Sequence, residues 1–226
     1  MSNYDYSAYT YNSKNPLARF SHRSRLMRAL DLVPASGIER LLDYGCGDGQ
    51  MLQRLHAAGR GGQLTGYDPL LVPDPHPAIR FCTHFRDLHP GTYDFMLCLE
   101  VLEHFGPANQ ERMLGEMKSL LRPRGRLLVS VPIETGLPSL VKNLRRLHLH
   151  PDHWHNWANT WKCLWGRALP ELRAVEGFIP SHIGFNHRHL EAIFSRYFRI
   201  VARHFSPFPR LSAACNAQVF YQLEPL

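Results

Sequence analysis

The chain has 226 residues with a mass of 26.0 kDa, 44% hydrophobic and 20% charged, which suits one core-forming domain and excludes wholesale disorder. No apolar run approaches the roughly 18 residues of a membrane-spanning helix, and the opening MSNYDYSAYTYNSKN lacks the basic-then-apolar order of a leader. The net charge of +7 is uneven: Lys and Arg outnumber acids five to one in residues 1–30 and eleven to six in 134–226, but trail ten to twelve in 31–133.

Residues 1–13 are polar and tyrosine-rich. Residues 16–33 space Leu17, Phe20, Leu26, Met27 and Leu30 as an amphipathic helix, with Arg19, Arg23, Arg25 and Arg28 on or near its polar side. Pro34 and Gly37 end it. Strands and helices then alternate: a strand at 40–44, a turn at 45–49, a helix at 50–58 and strands at 64–67, 79–83 and 93–99. A helix at 110–121, a breaker at 122–125 and a strand at 126–131 complete the run. The continuous apolar segment YDFMLCL reads as a buried parallel strand, and the alternation as a doubly wound α/β sheet. Residues 133–185 exceed an ordinary connection. They hold a helix-like stretch at 139–149 and a His/Trp-rich segment, and read as a cap inserted over the sheet. A helix at 187–197 and strands at 198–205 and 217–223 follow. The five cysteines are dispersed, with no CxxC pair, as expected of reduced thiols in a cytoplasmic protein.

The segment Asp43-Tyr44-Gly45-Cys46-Gly47-Asp48-Gly49 follows a strand and opens a helix. Its glycines allow a sharp turn and close approach to a ligand, and the helix behind offers unpaired N–H groups. The spacing is GxGxG, neither the GxGxxG of a dinucleotide fold nor a phosphate-binding P-loop. Asp68, at the end of the next strand, is placed to accept hydrogen bonds from ribose hydroxyls.

Taken together, LLDYGCGDG, GYDP, YDFMLCLEVLEHF and LLRPRGRLLVSVP resemble the four landmarks of class I S-adenosylmethionine-dependent methyltransferases, over residues 38–133. The resemblance implies a Rossmann-like, mostly parallel seven-stranded sheet with a reversed final strand and, here, a helical cap insertion. It implies S-adenosyl-L-methionine as cofactor. Asp43, Gly45 and Gly47 would hold its methionine part and Asp68 its ribose, with Leu99 and Glu100 beside the methionine or adenosine. No adenine contact is singled out within 83–87. Arg124 stands where the family's loop after the preceding helix has glycine. The expected organisation is a single methyltransferase domain over 1–226. It comprises an N-terminal helical lid (1–36), a cofactor-binding core (37–133), an acceptor-binding insertion (134–190) and closing strands (191–226).

Members that methylate exocyclic amines carry (N/D/S)-P-P-(Y/F) after the fourth strand. Here Leu99-Glu100-Val101-Leu102 stands there, which favours oxygen as acceptor. On a helix, Glu100, Glu103 and His104 would share one face. His104 would serve as general base, the three would hold a divalent metal, or they would cap a helix. E-x-x-E-H resembles the metal-binding stretch of RNA 3′-end 2′-O-methyltransferases and of quinone-pathway O-methyltransferases. His182 is the second candidate base or ligand. It precedes Gly184-Phe185-Asn186, a pattern similar to methyltransferases among sugar and lipid-glycan enzymes. His148, His150, His153 and His155, with Trp154, Trp157 and Trp161, suit an aromatic acceptor wall or the packing of the cap; their spacing matches no zinc finger.

The reading is an O-methyltransferase acting on a hydroxyl of a sugar, glycan or phosphate-linked acceptor, steered by the basic flanks. The alternatives are a quinone or phenol precursor, an RNA 2′-hydroxyl, or a cofactor-binding scaffold without catalysis. Partners expected are an anionic small molecule or glycan and a peripheral membrane surface, with nucleic acid disfavoured because no separate binding module is present.

Overall fold

The computed structural model describes residues 16–70, 74–135, 139–140, 143–144, 147, 156–165 and 177–226. Seven strands form one sheet: β1 (Arg40–Tyr44), β2 (Gln63–Tyr67), β3 (Ile79–Cys82), β4 (Tyr93–Leu99), β5 (Leu121–Pro132), β6 (Phe198–Ser206) and β7 (Gln218–Pro225). Their order is β3-β2-β1-β4-β5-β7-β6. The helices are α1 (Pro16–Leu32), α2 (Gln50–Ala57), α3 (Pro107–Leu120), α4 (Trp157–Leu164) and α5 (His187–Phe194). The Rossmann-like α/β expectation and its seven strands are therefore met.

The chain divides into two compact units. The first comprises the described residues up to Leu99, with Ser119–Leu128 and Pro225. The second comprises Glu100–Lys118, the described part of Val129–Glu224, and Leu226. In the first, β1 pairs in parallel with β2 and with β4, and β2 with β3. Leu41, Leu42, Leu52, Leu55, Met96 and Leu97 are fully buried there. Parallel neighbours need apolar residues on both faces, which is why β1 and β4 read as nearly unbroken apolar runs. The entry of β1 is pinned by Asp94, whose Oδ2 accepts the N–H groups of Glu39 (3.0 Å) and Arg40 (2.9 Å), while Oδ1 accepts from Arg122 (2.6 Å).

In the second unit β6 and β7 are antiparallel. The Ala217 N–H donates to Ser206 O at one end and the Leu226 N–H to Tyr197 O at the other. β7 also runs against the end of β5, where Ile133 N–H donates to Ala217 O. The antiparallel β6–β7 pair accords with the expected reversed final strand. Phe194, Phe198, Phe220 and Tyr221 fill this core, and the Tyr221 hydroxyl donates to Glu191 of α5 (2.9 Å).

Three expectations need correction. In helix α1, Arg19 and Arg23 are exposed as expected, but Arg25 is buried, and Phe20 and Met27, expected on the apolar side, are exposed. Its C-terminus is capped instead by Arg60, whose guanidinium donates to Leu30 O and Val33 O. Residues 122–125, read as a breaker, lie inside β5. The third concerns Glu100. It is not helical but has φ 58°, and only a short 3-10 turn at Leu102–His104 precedes α3. The expected helix at 139–149 lies largely outside the described residues, as do His148, His150, His153, His155 and Trp154.

Gly62 shows where backbone freedom is indispensable. It has φ +58°, and a Cβ there would lie 2.3 Å from Glu39 O and 2.6 Å from Ile38 O. Gly59 is similarly twisted (φ +64°) but has nothing within 4 Å. Gly62→Ala should therefore cost about 3 kcal/mol in urea unfolding, against about 1 kcal/mol for Gly59→Ala. Equal losses would contradict the close-approach argument.

Candidate active site

β1 and β2 end side by side, with Asp43 opposite Gly66 and Tyr44 opposite Tyr67. This puts the glycine turn next to the Asp68 corner at the carboxyl edge of the strands, where open α/β sheets bind ligands. β1 lies between β2 and β4, where the strand order reverses. Gly45, Gly47 and Gly49 all have positive φ (81°, 53° and 73°), the backbone freedom that a tight turn requires. The N–H groups of Gly45 and Cys46 donate to Tyr67 O (2.7 and 3.1 Å). Asp68 ties the two corners together: Oδ2 accepts from Gly47 N–H (3.1 Å) and Oδ1 from Leu70 N–H (2.9 Å). A Cβ on Gly47 would meet nothing within 4 Å, so the turn borders open space.

Asp43 is the unusual member. It is buried, and its Oδ1 has no hydrogen-bond partner. Burial, reinforced by the charges of Asp68 and Asp48, pushes its carboxyl up to about 7. The same burial, with Asp43 and Asp68 nearby, pushes the Cys46 thiol up, which makes it a poor nucleophile. A buried carboxylate with an unused oxygen and two acidic neighbours is a site for a cation bearing N–H donors.

The second unit carries a different cluster. Glu103, His104 and His182 offer ligand atoms within 4.8 Å of one another, the one such group among the described residues. Ile179 holds His104 at two points: its N–H donates to His104 O (2.7 Å), and its carbonyl lies 2.9 Å from His104 Nδ1. A carbonyl oxygen can only accept, so the proton sits on Nδ1 and the lone pair of the neutral ring on Nε2. Phe178 stacks on the imidazole (centroids 4.7 Å apart, 17° between planes). His104 Nε2 faces His182 Nε2 at 3.4 Å, and His182 Nδ1 lies 4.0 Å from the buried carboxylate of Glu134.

The structure thus brings Asp43, Gly45, Gly47 and Asp68 together in one unit and Glu103, His104 and His182 together in the other. Glu100 does not join the second cluster as the helical reading had it. Its N–H donates to Ser130 O (3.0 Å) and its Oε1 accepts from Ser130 Oγ (2.9 Å). Leu99 closes β4 and is half-buried. His187 is buried in α5, with its ring kept toward the neutral form by desolvation, and His189 belongs to the same helix. Sequence reasoning missed Ile179 and Glu134. Glu134 had a signal, since it stands two residues past the end of β5; the backbone clamp at Ile179 had none.

A model of the methyltransferase domain family matches residues 13–210. The chain is 33% identical over 138 residues to the ubiquinone biosynthesis O-methyltransferase of Marinobacter nauticus, covering 53% of this chain and 56% of that protein. The corresponding enzyme of Photobacterium profundum is 30% identical over 105 residues, covering 41% and 43%. The chain thus spans about half the length of the curated relatives it matches. Its fold is similar to the 1,6-didemethyltoxoflavin-N1-methyltransferase of Burkholderia thailandensis, with TM-score 0.60 and 17% identity over 98% of this chain and 85% of that one.

S-adenosylmethionine carries an ammonium and a sulfonium, so the acidic turn with the unused Asp43 oxygen fits this donor. The folded-state shift of Asp43 also has a stability consequence. Its carboxyl is raised from the ordinary aspartate value of 3.8 to about 7, so the folded protein holds a proton that the unfolded chain releases. The stabilisation is complete below about pH 4 and is lost as pH rises through about 7. Asp43→Asn should flatten that decline in chemical-denaturation curves of the ligand-free protein. An unchanged pH profile would contradict the buried-acid assignment.

Proposed function

The chain belongs to the methyltransferase-domain family and takes its methyl group from S-adenosylmethionine; from that premise we propose that its acceptor is a phenolic or quinone-precursor hydroxyl. The observation that supports oxygen methylation is the His104 ring, whose Nδ1 donates to Ile179 O, so that Nε2, facing His182 Nε2 at 3.4 Å, is the accepting nitrogen. The relatives named for ubiquinone biosynthesis support a phenol-like acceptor over the sugar or glycan hydroxyl expected from the sequence.

Bound S-adenosylmethionine supplies an electrophilic methyl on a sulfonium. In this reading Asp43 balances the donor's ammonium, the Gly45–Gly47 turn lets the donor approach the backbone closely, and Asp68 accepts from the ribose hydroxyls. Leu99 and Glu100 would lie along its flank. His104 Nε2 takes the hydroxyl proton as the oxygen attacks, which is general base catalysis worth about 10²–10⁴ in rate. The resulting imidazolium is met by Ile179 O at Nδ1 and by the nearby Glu103 carboxylate. Phe178 and Ile179 fix the ring's plane, so little reorganisation accompanies proton transfer. His182, flanked by Glu134, is the partner that hands a proton to or from His104.

A metal-assisted second reading has its own support, since Glu103, His104 and His182 are a carboxylate and two imidazoles in ligating range. Both imidazoles also have an oxygen partner near the other ring nitrogen, as metal-binding histidines do.

Asp68→Ala should weaken S-adenosylmethionine at least about tenfold in calorimetric titration. Unchanged affinity would remove Asp68 from the ribose. With a catechol acceptor, His104→Gln should lower kcat by about 10²-fold or more while leaving the donor Kd within about threefold. A retained kcat would sink the base assignment. Activity that survives chelation and ignores added Mg²⁺ would decide against the metal-assisted reading.

A further inference from the structure

The rings of His104 and His182 meet Nε2 to Nε2 at 3.4 Å, a contact that is attractive only if one of the two nitrogens carries a proton. The backbone decides which. His104 Nδ1 faces a carbonyl oxygen, Ile179 O at 2.9 Å, and so holds the one proton of its neutral ring. His104 Nε2 is then the lone pair, and His182 Nε2 is the donor. The two rings also differ in freedom. His104 is held by Ile179 at two points and by Phe178 across its face, whereas the His182 side chain is 28% exposed and has room to shift.

We propose that these two nitrogens together recognise the acceptor's hydroxyl, and that His182 is a specificity-determining residue that touches the acceptor oxygen. The inference rests on the hydroxyl reading proposed above. A hydroxyl is at once donor and acceptor. Its O–H points at His104 Nε2, and its lone pair takes the N–H of His182. An oxygen bridging two hydrogen bonds of about 2.8 Å sets the nitrogens about 4.5 Å apart, so His182 withdraws by about 1 Å while His104 stays. The oxygen then gives its proton to His104 Nε2 and bonds to the methyl carbon as that carbon leaves sulfur. His182 N–H stays on the oxygen while negative charge develops there. The buried carboxylate of Glu134, 4.0 Å from His182 Nδ1, favours the positive charge drawn onto that ring. A methyl ether has no proton for His104, so the pair selects a free phenolic hydroxyl and releases the methylated product.

The first test needs no acceptor. Nitrogen-15 spectra of the full chain with labelled histidine, assigned with His104→Gln and His182→Gln, should show a protonated Nε2 on His182 and a bare Nε2 on His104. A bare Nε2 on His182 would overturn the proposal whatever the acceptor is. The second test uses catechol and 4-nitrocatechol as probes. The nitro group makes the hydroxyl more acidic and its oxygen a weaker acceptor, so this probe relies less on the His182 N–H. His182→Ala should lower kcat/KM at least about tenfold for catechol and by a smaller factor for 4-nitrocatechol, with the S-adenosylmethionine Kd within about threefold. His182→Gln, which keeps an amide N–H donor, should recover most of the loss. Equal losses with both probes, or no loss with catechol, would overturn the role of His182. If the unaltered chain methylates neither probe, the phenolic reading fails, and the nitrogen-15 result still decides the pair.

Discussion

A carboxylate kept from water without a full set of partners constrains the cofactor-binding unit. Asp43 is the penultimate residue of β1, a strand with parallel neighbours on both sides, and it is buried together with Tyr44. Burial alone would be met by protonation, and near neutrality it half is. Two further acids at the same corner make the ionised form costlier still, until a cation arrives. The glycine turn, the Asp68 clamp on Gly47 and the parallel register of β1 with β2 all hold this corner in shape. The free protein is thus destabilised where the ligand is expected to bind, an arrangement in which ligand charge relieves a strain that packing imposes.

The second unit solves a different problem, that of presenting one nitrogen lone pair in a fixed direction. A histidine on a short 3-10 turn would ordinarily be free to rotate. Here Ile179 binds both its backbone carbonyl and its Nδ1, and Phe178 lies flat against the ring. The segment that immobilises the base is therefore contributed from 75 residues further along the chain. His182 and Glu134 extend the line of titratable groups behind it.

Much of this was legible in the residues. The strand limits at 40–44 and 93–99 follow from unbroken apolar runs, and the turn at 45–49 from glycines that only a positive φ explains. Asp43, Asp68, His104 and His182 were visible because few chemistries need those types at those places. Other features were not. Glu100 was read as helical because E-x-x-E-H has helical spacing, but spacing cannot register the backbone turn at φ 58° that hands its carboxylate to Ser130. The arginines of α1 looked peripheral because charge suggests water, whereas Arg25 is buried. The Ile179 clamp is made by backbone atoms, which every residue possesses and no sequence pattern marks. Trp157 and Trp161 were read as acceptor wall or packing of the cap, and both are exposed on α4.

Calorimetry of S-adenosylmethionine binding in several buffers of different ionisation enthalpy, at about pH 6, tests the central claim most directly. At that pH the buried Asp43 carboxyl holds its proton in the free protein, because its midpoint lies at about 7. If the carboxylate balances the donor's ammonium, binding must release close to one proton, and the Asp43→Asn variant must release none. Tight binding with no proton released by the unaltered chain would contradict the account.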